Sequence, residues 1–433
     1  MATDLNQLWQ AIVDAGGRDA WIERQLRERG FLVERKSASA LESSSEAEKG
    51  RYKQRLKDES AEKRKIAAEA WKAYKAQHIV HLGEGVYWCD ADDFDLLDLP
   101  DAEERQSENA LPKLETPKDL ATALGISVAE LRWLAYHRDA ATRVHYMRFF
   151  IPKKDGTQRA IWAPHKRLKA AQRWILREVV EHLPVHGAAH GFLNARSILT
   201  NARQHTGASI VLEMDIKDFF PSVSVARVKG VFRKAGYREQ VAILLALLCT
   251  ESPREVVEID GKTWYLALGP RCLPQGAPTS PALTNTLCMR LDRRLSGLAR
   301  KLGWRYTRYA DDLTFSLPEG HKGKPNTGKL IGGAQRIVAA EGFTVHPKKT
   351  HVARDGSRQQ VTGLVVNGEG APRVPRRTRR QLRAALHNAG QGKPLREGES
   401  LDTLHGLASY VHMASPEAGR KLLDQVAALK VKA

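Results

Sequence analysis

Residues 1 to about 35 set apolar side chains at helical spacing, Leu5, Leu8, Trp9, Ile12 and Val13, then Trp21, Ile22 and Leu26. The pattern predicts two short amphipathic helices parted by Gly16-Gly17. From Ser43 to about Gln77 Glu, Lys, Arg and Ala take over, and the apolar stripe is nearly absent until Ile66, Trp71 and Tyr74; a long charged helix or a partly disordered arm is expected. Residues 90–110, with Asp92-Asp93-Phe94-Asp95, are rich in acids and serine and read as a linker. Leu120 to Leu131 predicts two helices joined at Gly125, with Ser127 capping the second. The same spacing occurs in helix-turn-helix DNA readers, but a recognition helix from Val128 to Tyr136 would be largely apolar, which favours packing.

Strand character begins at Tyr146. Tyr146 to Ile151 and Gln158 to Trp162 predict a hairpin turning at Lys153-Lys154-Asp155-Gly156, and an amphipathic helix follows from Leu168. The apolar run after Ser209 reads as a buried strand ending on Asp215. Val225 to Leu248 reads as helical with a break at Gly236, and Val256 to Ile259 with Thr263 to Leu266 as a second short hairpin. The prolines and glycine of Leu273-Pro274-Gln275-Gly276-Ala277-Pro278-Thr279-Ser280-Pro281 force a rigid turn before a helix from about Ala282 to Leu302. Strand-forming residues then flank Asp311-Asp312, which predicts a hairpin tip. A helix near Lys329 to Glu341, a hairpin from Val352 to Val366 and helices over Leu401 to Met413 and Ala418 to Leu429 complete the chain.

The chain has 433 residues, enough for two or three domains with ample cores. A formal charge of +19 implies a polyanionic partner, nucleic acid ahead of an acidic membrane surface. Arg373, Arg376, Arg377, Arg379, Arg380 and Arg383 crowd into one stretch, a density that calls for a phosphate backbone. The longest apolar run, Val241 to Cys249, is too short for a membrane helix and reads as a buried one. No secretory signal is visible at the N-terminus, so the protein is expected in the cytoplasm. Cys89, Cys249, Cys272 and Cys288 lack metal spacing and read as reduced core thiols.

Adjacent acids at a surface turn usually mean a solvated loop, so Asp311 and Asp312 need a second acidic site before they mean chemistry. Asp215 supplies it. Three carboxylates from two strands suit two hard divalent cations, which take oxygen ligands and clamp both the attacking and leaving oxygens of a phosphoryl transfer.

The order of blocks, Asp215 to Pro221, Leu273-Pro274-Gln275-Gly276, Tyr309-Ala310-Asp311-Asp312 and then Lys349, resembles the reverse transcriptase family. Asn201-Ala202-Arg203-Gln204-His205 and Val361-Thr362-Gly363 are similar to blocks of its bacterial retron branch, and the likeness runs from about Thr116 to the C-terminus. The resemblance implies an α+β right-hand polymerase fold of fingers, palm and thumb, with an antiparallel palm sheet and, in this chain, a helical N-terminal extension. Residues 1–110 would be the charged helical extension and linker, 111–208 fingers with N-terminal helices, 209–368 palm with helical insertions, and 369–433 a basic helical thumb.

It further implies that Asp215, Asp311 and Asp312 are catalytic and bind two Mg2+ ions. Lys154 and Arg159 would grip the phosphates of a deoxynucleoside triphosphate, Phe220 would gate against a ribose 2'-hydroxyl, and Gln275 and Lys349 would touch the nucleotide or lie near it. Asn201, His205 and Thr362, with Arg376, Arg377 and Arg380, would handle RNA. The implied partners are a cognate structured non-coding RNA, both template and primer through an internal guanosine 2'-hydroxyl, its branched DNA product, and an effector or toxin protein in defence against phage. Two other readings stand beside it: another bacterial reverse transcriptase of diversity-generating, abortive-infection or group II-like type, and a basic nucleic-acid-binding protein whose acids are structural.

Overall fold

The structure, a computed structural model, describes residues 4–89, 99–152, 156–368 and 370–432. Helices α1 (Leu5–Asp14) and α2 (Arg18–Glu28) form where the apolar spacing puts them. After α3 (Ala38–Glu42), the charged stretch is one long helix, α4 (Glu46–Gln77), opened by a capping box in which Ser45 and Glu48 bond each other's backbone N–H. Ile66, Ala70 and Ala73 of α4 are buried against Ile12, Trp21, Ile22 and Leu26. Trp71 departs from the expected stripe: it is 38% exposed, stacks on Tyr74 and carries the Arg18 guanidinium over its ring.

Where a linker was expected, α5 (Ala102–Glu108) forms, while Asp92 to Asp95 lie outside the described residues. Helices α6 (Pro117–Ala123) and α7 (Val128–Ala135) follow, with Ser127 capping α7 and Val128, Leu131 and Leu134 buried, as a packing helix requires.

The remaining elements are β1 (Ala140–Ala141), β2 (Tyr146–Pro152), β3 (Gln158–Pro164), α8 (Lys166–Glu178), α9 (Ile198–Arg203), β4 (Ala208–Asp215), α10 (Val225–Lys234) and α11 (Glu239–Cys249). Then come β5 (Arg254–Ile259), β6 (Lys262–Ala267), α12 (Ser280–Leu287), α13 (Met289–Lys301), β7 (Arg305–Tyr309), β8 (Asp312–Pro318) and α14 (Thr327–Ala340). Strands β9 (His351–Arg354), β10 (Gln360–Val361) and β11 (Leu364–Val365) precede α15 (Arg376–Gly390), α16 (Leu401–Ala414) and α17 (Pro416–Lys432).

Two compact units result. One comprises residues 1–145, 232–248 and 254–268, and contains the three-stranded sheet β1-β6-β5. The other comprises residues 146–231, 249–253 and 269–433, and contains the four-stranded sheet β7-β8-β4-β9 and the hairpins β2–β3 and β10–β11. Every paired strand is antiparallel, so the fold class is α+β. In the four-stranded sheet β4 is central and nearly continuous in apolar burial, with Ile210, Val211, Leu212 and Met214 inside.

The expected hairpin from Val352 to Val366 resolves differently. Strand β9 pairs along β4, from Ile210 opposite Arg354 to Glu213 opposite His351, and only β10 and β11 make a hairpin. That hairpin and Ala202 of α9 share a core with α15, α16 and α17 through Val361, Leu364, Leu382, Leu404 and Val426. All four cysteines are free; burial pushes the Cys249 thiol up to about 12 and those of Cys272 and Cys288 up to about 11, which suits inert core residues, whereas Cys89 is only half-buried and not the core thiol expected. Among the described residues no helix is long and apolar enough to cross a membrane.

Candidate active site

The geometry of the three aspartates begins with strand register. Asp215, the last residue of β4, lies directly opposite Asp312, the first residue of β8, so both side chains leave the same face of the sheet. Tyr309 pairs with Asp312 on the other side, which leaves Ala310 and Asp311 as a two-residue turn. Ala310 holds a left-handed backbone (φ 54°), and the Ile216 N–H donates to the Asp311 carbonyl at 2.9 Å. Three carboxylates therefore meet at one end of the sheet.

They repel one another. Asp312 keeps an exposed edge, yet it is pushed up to about 7, first by desolvation in the crowded turn and then by the charges of Asp311, Asp215 and Glu213. Asp311 is raised by desolvation and by the charge of Asp215, with a backbone hydrogen bond, Lys349 and Arg159 acting in the opposite sense. Glu213, two residues before Asp215 and on the same face of β4, is itself pushed up to about 7 by burial.

The ammonium of Lys349 bonds Asp215 Oδ2 at 2.9 Å, and that bond raises the lysine's own pKa. No trio of His, Cys, Asp or Glu among the described residues is already drawn into metal-ligand geometry. The donor chemistry nevertheless fits a hard cation: the carboxylates are oxygen-only, they converge, and their mutual repulsion is what a divalent ion relieves.

Of the other residues expected at the nucleotide, those described lie on β3 and in the loops after β4 and β6. Arg159, exposed on β3, lies near enough for its charge to act on Asp311. Gln275 accepts from the Trp162 N–H through its carbonyl at 2.7 Å, which ties its loop to β3. The tie depends on Gly276, whose φ is 120° and where a Cβ would sit 2.6 Å from the Trp162 carbonyl oxygen. Phe220 is half-buried on the turn after Asp215, its ring 5.5 Å from that of buried Phe219. Lys154 lies outside the described residues.

The residues expected at RNA divide into two groups. Arg376, Arg377 and Arg380 are exposed on α15 and make no salt bridge among the described residues. Asn201 and His205 are fully buried, so neither side chain presents itself to a ligand. His205 bridges two strands, with Nδ1 2.7 Å from Ser316 Oγ and Nε2 2.7 Å from Thr307 Oγ1; burial, aided by Arg305, pulls its pKa down to about 3 and keeps it neutral. Asn201 finds no hydrogen-bond partner for its amide among the described residues.

Thr362, in the β10–β11 turn, is held at φ 47° and donates to the Ile198 carbonyl of α9 at 3.2 Å. The Tyr410 hydroxyl of α16 donates to the neighbouring Gly363 carbonyl at 3.1 Å. The two short blocks, far apart in sequence, thus meet and join α9 to the C-terminal helices.

Sequence reading missed what lies under the Ala310-Asp311 turn. Arg308 is fully buried and forks onto Asp292 of α13, its Nη2 2.7 Å from Oδ2 and its Nε 2.9 Å from Oδ1. Its Nη1 donates to Asn285 Oδ1 at 3.1 Å and to the Ala310 carbonyl at 3.2 Å, and the Tyr306 hydroxyl donates to Asp292 at 2.8 Å. Asn285 in turn donates to the Gly191 carbonyl, and a Cβ on Gly191 would lie 2.8 Å from the Ala310 nitrogen. A signal was present: Arg308 falls in step with Trp304, just before β7, and Tyr306, both buried, and Asp292 lies on the α13 face that buries Leu291 and Leu295. Two opposite charges on two apolar faces call for each other.

The reverse transcriptase (RNA-dependent DNA polymerase) family profile matches residues 151–374. The chain is 52% identical over 431 residues to the retron Mx162 reverse transcriptase of Myxococcus xanthus, covering 97% of this chain and 88% of that protein. It is 45% identical to the retron Mx65 reverse transcriptase of the same organism, over 76% of this chain and 75% of the relative. With the retron Ec86 reverse transcriptase of Escherichia coli it shares 33% identity, over 74% of this chain and 92% of the relative.

Proposed function

Since the chain belongs to the reverse transcriptase family, and to its retron branch, it is an RNA-directed DNA polymerase, and we propose that it copies a cognate structured non-coding RNA into single-stranded DNA. In this proposal the 2'-hydroxyl of an internal guanosine is the primer and the product is a branched RNA-DNA hybrid. The protein acts in the cytoplasm with an effector or toxin protein, in defence against phage. Residues 111–208 serve as fingers, 209–368 as palm and 369–433 as thumb, with 1–110 as a helical extension and linker.

The observation that carries the catalytic assignment is the register of Asp215 opposite Asp312, with Asp311 in the turn beside them. Asp215, Asp311 and Asp312 would hold two Mg2+ ions, which when bound supply activation of the primer hydroxyl and neutralisation of the triphosphate. The chain's own residues do the rest. Lys349 holds Asp215 in place through its ammonium. Arg159 on β3, together with Lys154, supplies cations for the triphosphate, Gln275 is positioned by its tie to β3, and Phe220 stands at the turn where a deoxyribose would be selected. Arg376, Arg377 and Arg380 offer an exposed cationic row to nucleic-acid phosphates, while Asn201, His205 and Thr362 act on RNA through the helix and turn that they position.

The test is Mg2+-dependent incorporation of deoxynucleotides on an RNA template. A folded protein carrying Asp311→Asn and Asp312→Asn is expected to make no DNA, and synthesis at the unmodified protein's rate would overturn the metal assignment. Sequencing nucleic acid that copurifies with the protein tests the retron reading, for which a branched RNA-DNA hybrid is the expected finding.

A further inference from the structure

Beside α9 and the start of β7, a cavity of about 660 Å³ opens, lined in part by Arg196, Gln204, Ser296, Arg300 and Trp304. No carboxylate is among its lining residues. Asp292, bonded to the lining residue Tyr306, is wholly buried and already taken by Arg308. Three of the lining side chains, Gln204, Ser296 and Arg300, make no hydrogen bond or salt bridge within the described protein, and Arg300 and Gln204 are exposed. Trp304, only 4% exposed, adds an indole N–H that finds no acceptor. Arg196 is fixed in the wall by bonds from Nη1 to the Gly187 and Ala189 carbonyls, which leave its charge in place.

A concave surface supplied with donors and cations but no competing carboxylate selects for an oxyanion that accepts several hydrogen bonds at once. Its volume is that of a site for a drug-sized ligand, larger than a lone phosphate needs. We propose that this cavity binds the phosphodiester backbone of nucleic acid at a point separate from the catalytic carboxylates, with Arg300, Arg196, Gln204 and Ser296 as the contacting residues. The inference rests on the polymerase reading, since it takes its ligand from that enzyme's template or product.

It also gives the Asn201 to His205 block a physical role. Asn201 is buried within α9 and His205, just beyond it, is bonded to Ser316 and Thr307 of the sheet, while Gln204, between them, lines the cavity. A residue that cannot touch RNA can thus still govern its binding.

The test uses the full chain with Arg300→Glu and Ser296→Glu, a pair that removes no internal hydrogen bond, and Arg300→Lys as the conservative control. Folding is checked by thermal melting. Binding of a fluorescein-labelled RNA stem-loop and of the matching DNA stem-loop, both blunt so that neither serves as a primed template, is measured across a salt series. The double variant is expected to bind about tenfold or more weakly and with a salt slope smaller by about one unit, with Arg300→Lys close to the unmodified protein. Weakened binding of RNA assigns the site to the template RNA, and weakened binding of DNA alone assigns it to the product strand. Unchanged affinity and slope with both, in a folded variant, would overturn the proposal. Deoxynucleotide incorporation by the unmodified protein is scored separately, so a failed polymerase reading and a failed cavity assignment give different results.

Discussion

Two residues near the site form a wholly buried ion pair. Arg308 and Asp292 have no exposed side-chain surface, so Asp292→Asn would leave a buried guanidinium without its counter-charge at a cost of about 3–5 kcal/mol. Urea unfolding should show that decrease, and polymerase activity per folded molecule should fall with it, because Arg308 also holds the Ala310 carbonyl beneath the turn that carries the proposed metal ligand Asp311. His205 sets an acid limit. Its folded pKa, about 3, lies below the ordinary value of 6.5, so between those values the unfolded chain binds a proton that the native state refuses. Its contribution is complete above about pH 6.5 and is lost as pH falls, by roughly 2 kcal/mol at pH 5. Asp312, raised to about 7, works in the opposite sense, so the measurement is the difference between the unmodified protein and His205→Asn. That difference should shrink as pH drops from 6.5 towards 4. Neither partner of His205 was visible in sequence, since Thr307 and Ser316 are ordinary strand residues until the fold puts an imidazole between them.

At the scale of elements, most helices and hairpins were legible because their signals are local. Gly16-Gly17 separates α1 from α2, Ser127 caps α7, and the strand-forming runs Tyr146 to Ile151 and Gln158 to Trp162 become β2 and β3. What was illegible was pairing. Nothing near His351 to Arg354 says that these residues join the edge of β4 instead of folding back on β10. The β10–β11 turn offers a test at this scale, because Thr362 sits in a left-handed conformation that a β-branched residue disfavours. Thr362→Val keeps that strain and removes the bond to Ile198, and should cost about 1–2 kcal/mol. Thr362→Gly removes both, so its net change should stay within about 1 kcal/mol. Denaturant titration of the two variants checks the ordering.

At the scale of the whole molecule, the charge of +19 makes association with nucleic acid depend on released counterions. Replacing Arg376, Arg377 and Arg380 together by Gln should weaken binding with little regard to sequence and lower the salt slope by about one unit for each phosphate left unneutralised, measured as log K against log salt. The sequence by itself determined the chemical inventory: three aspartates in order, a basic C-terminal helix, and blocks in the succession that marks the family. It could do so because residue type and local spacing are properties of the chain alone. Only the tertiary structure decided that Asp215 stands opposite Asp312, that Asn201 and His205 point inward, and that Arg308 and Asp292 neutralise each other beneath the turn. Register, burial and the pairing of charges depend on residues distant in sequence coming together, and they do so only once the chain has folded.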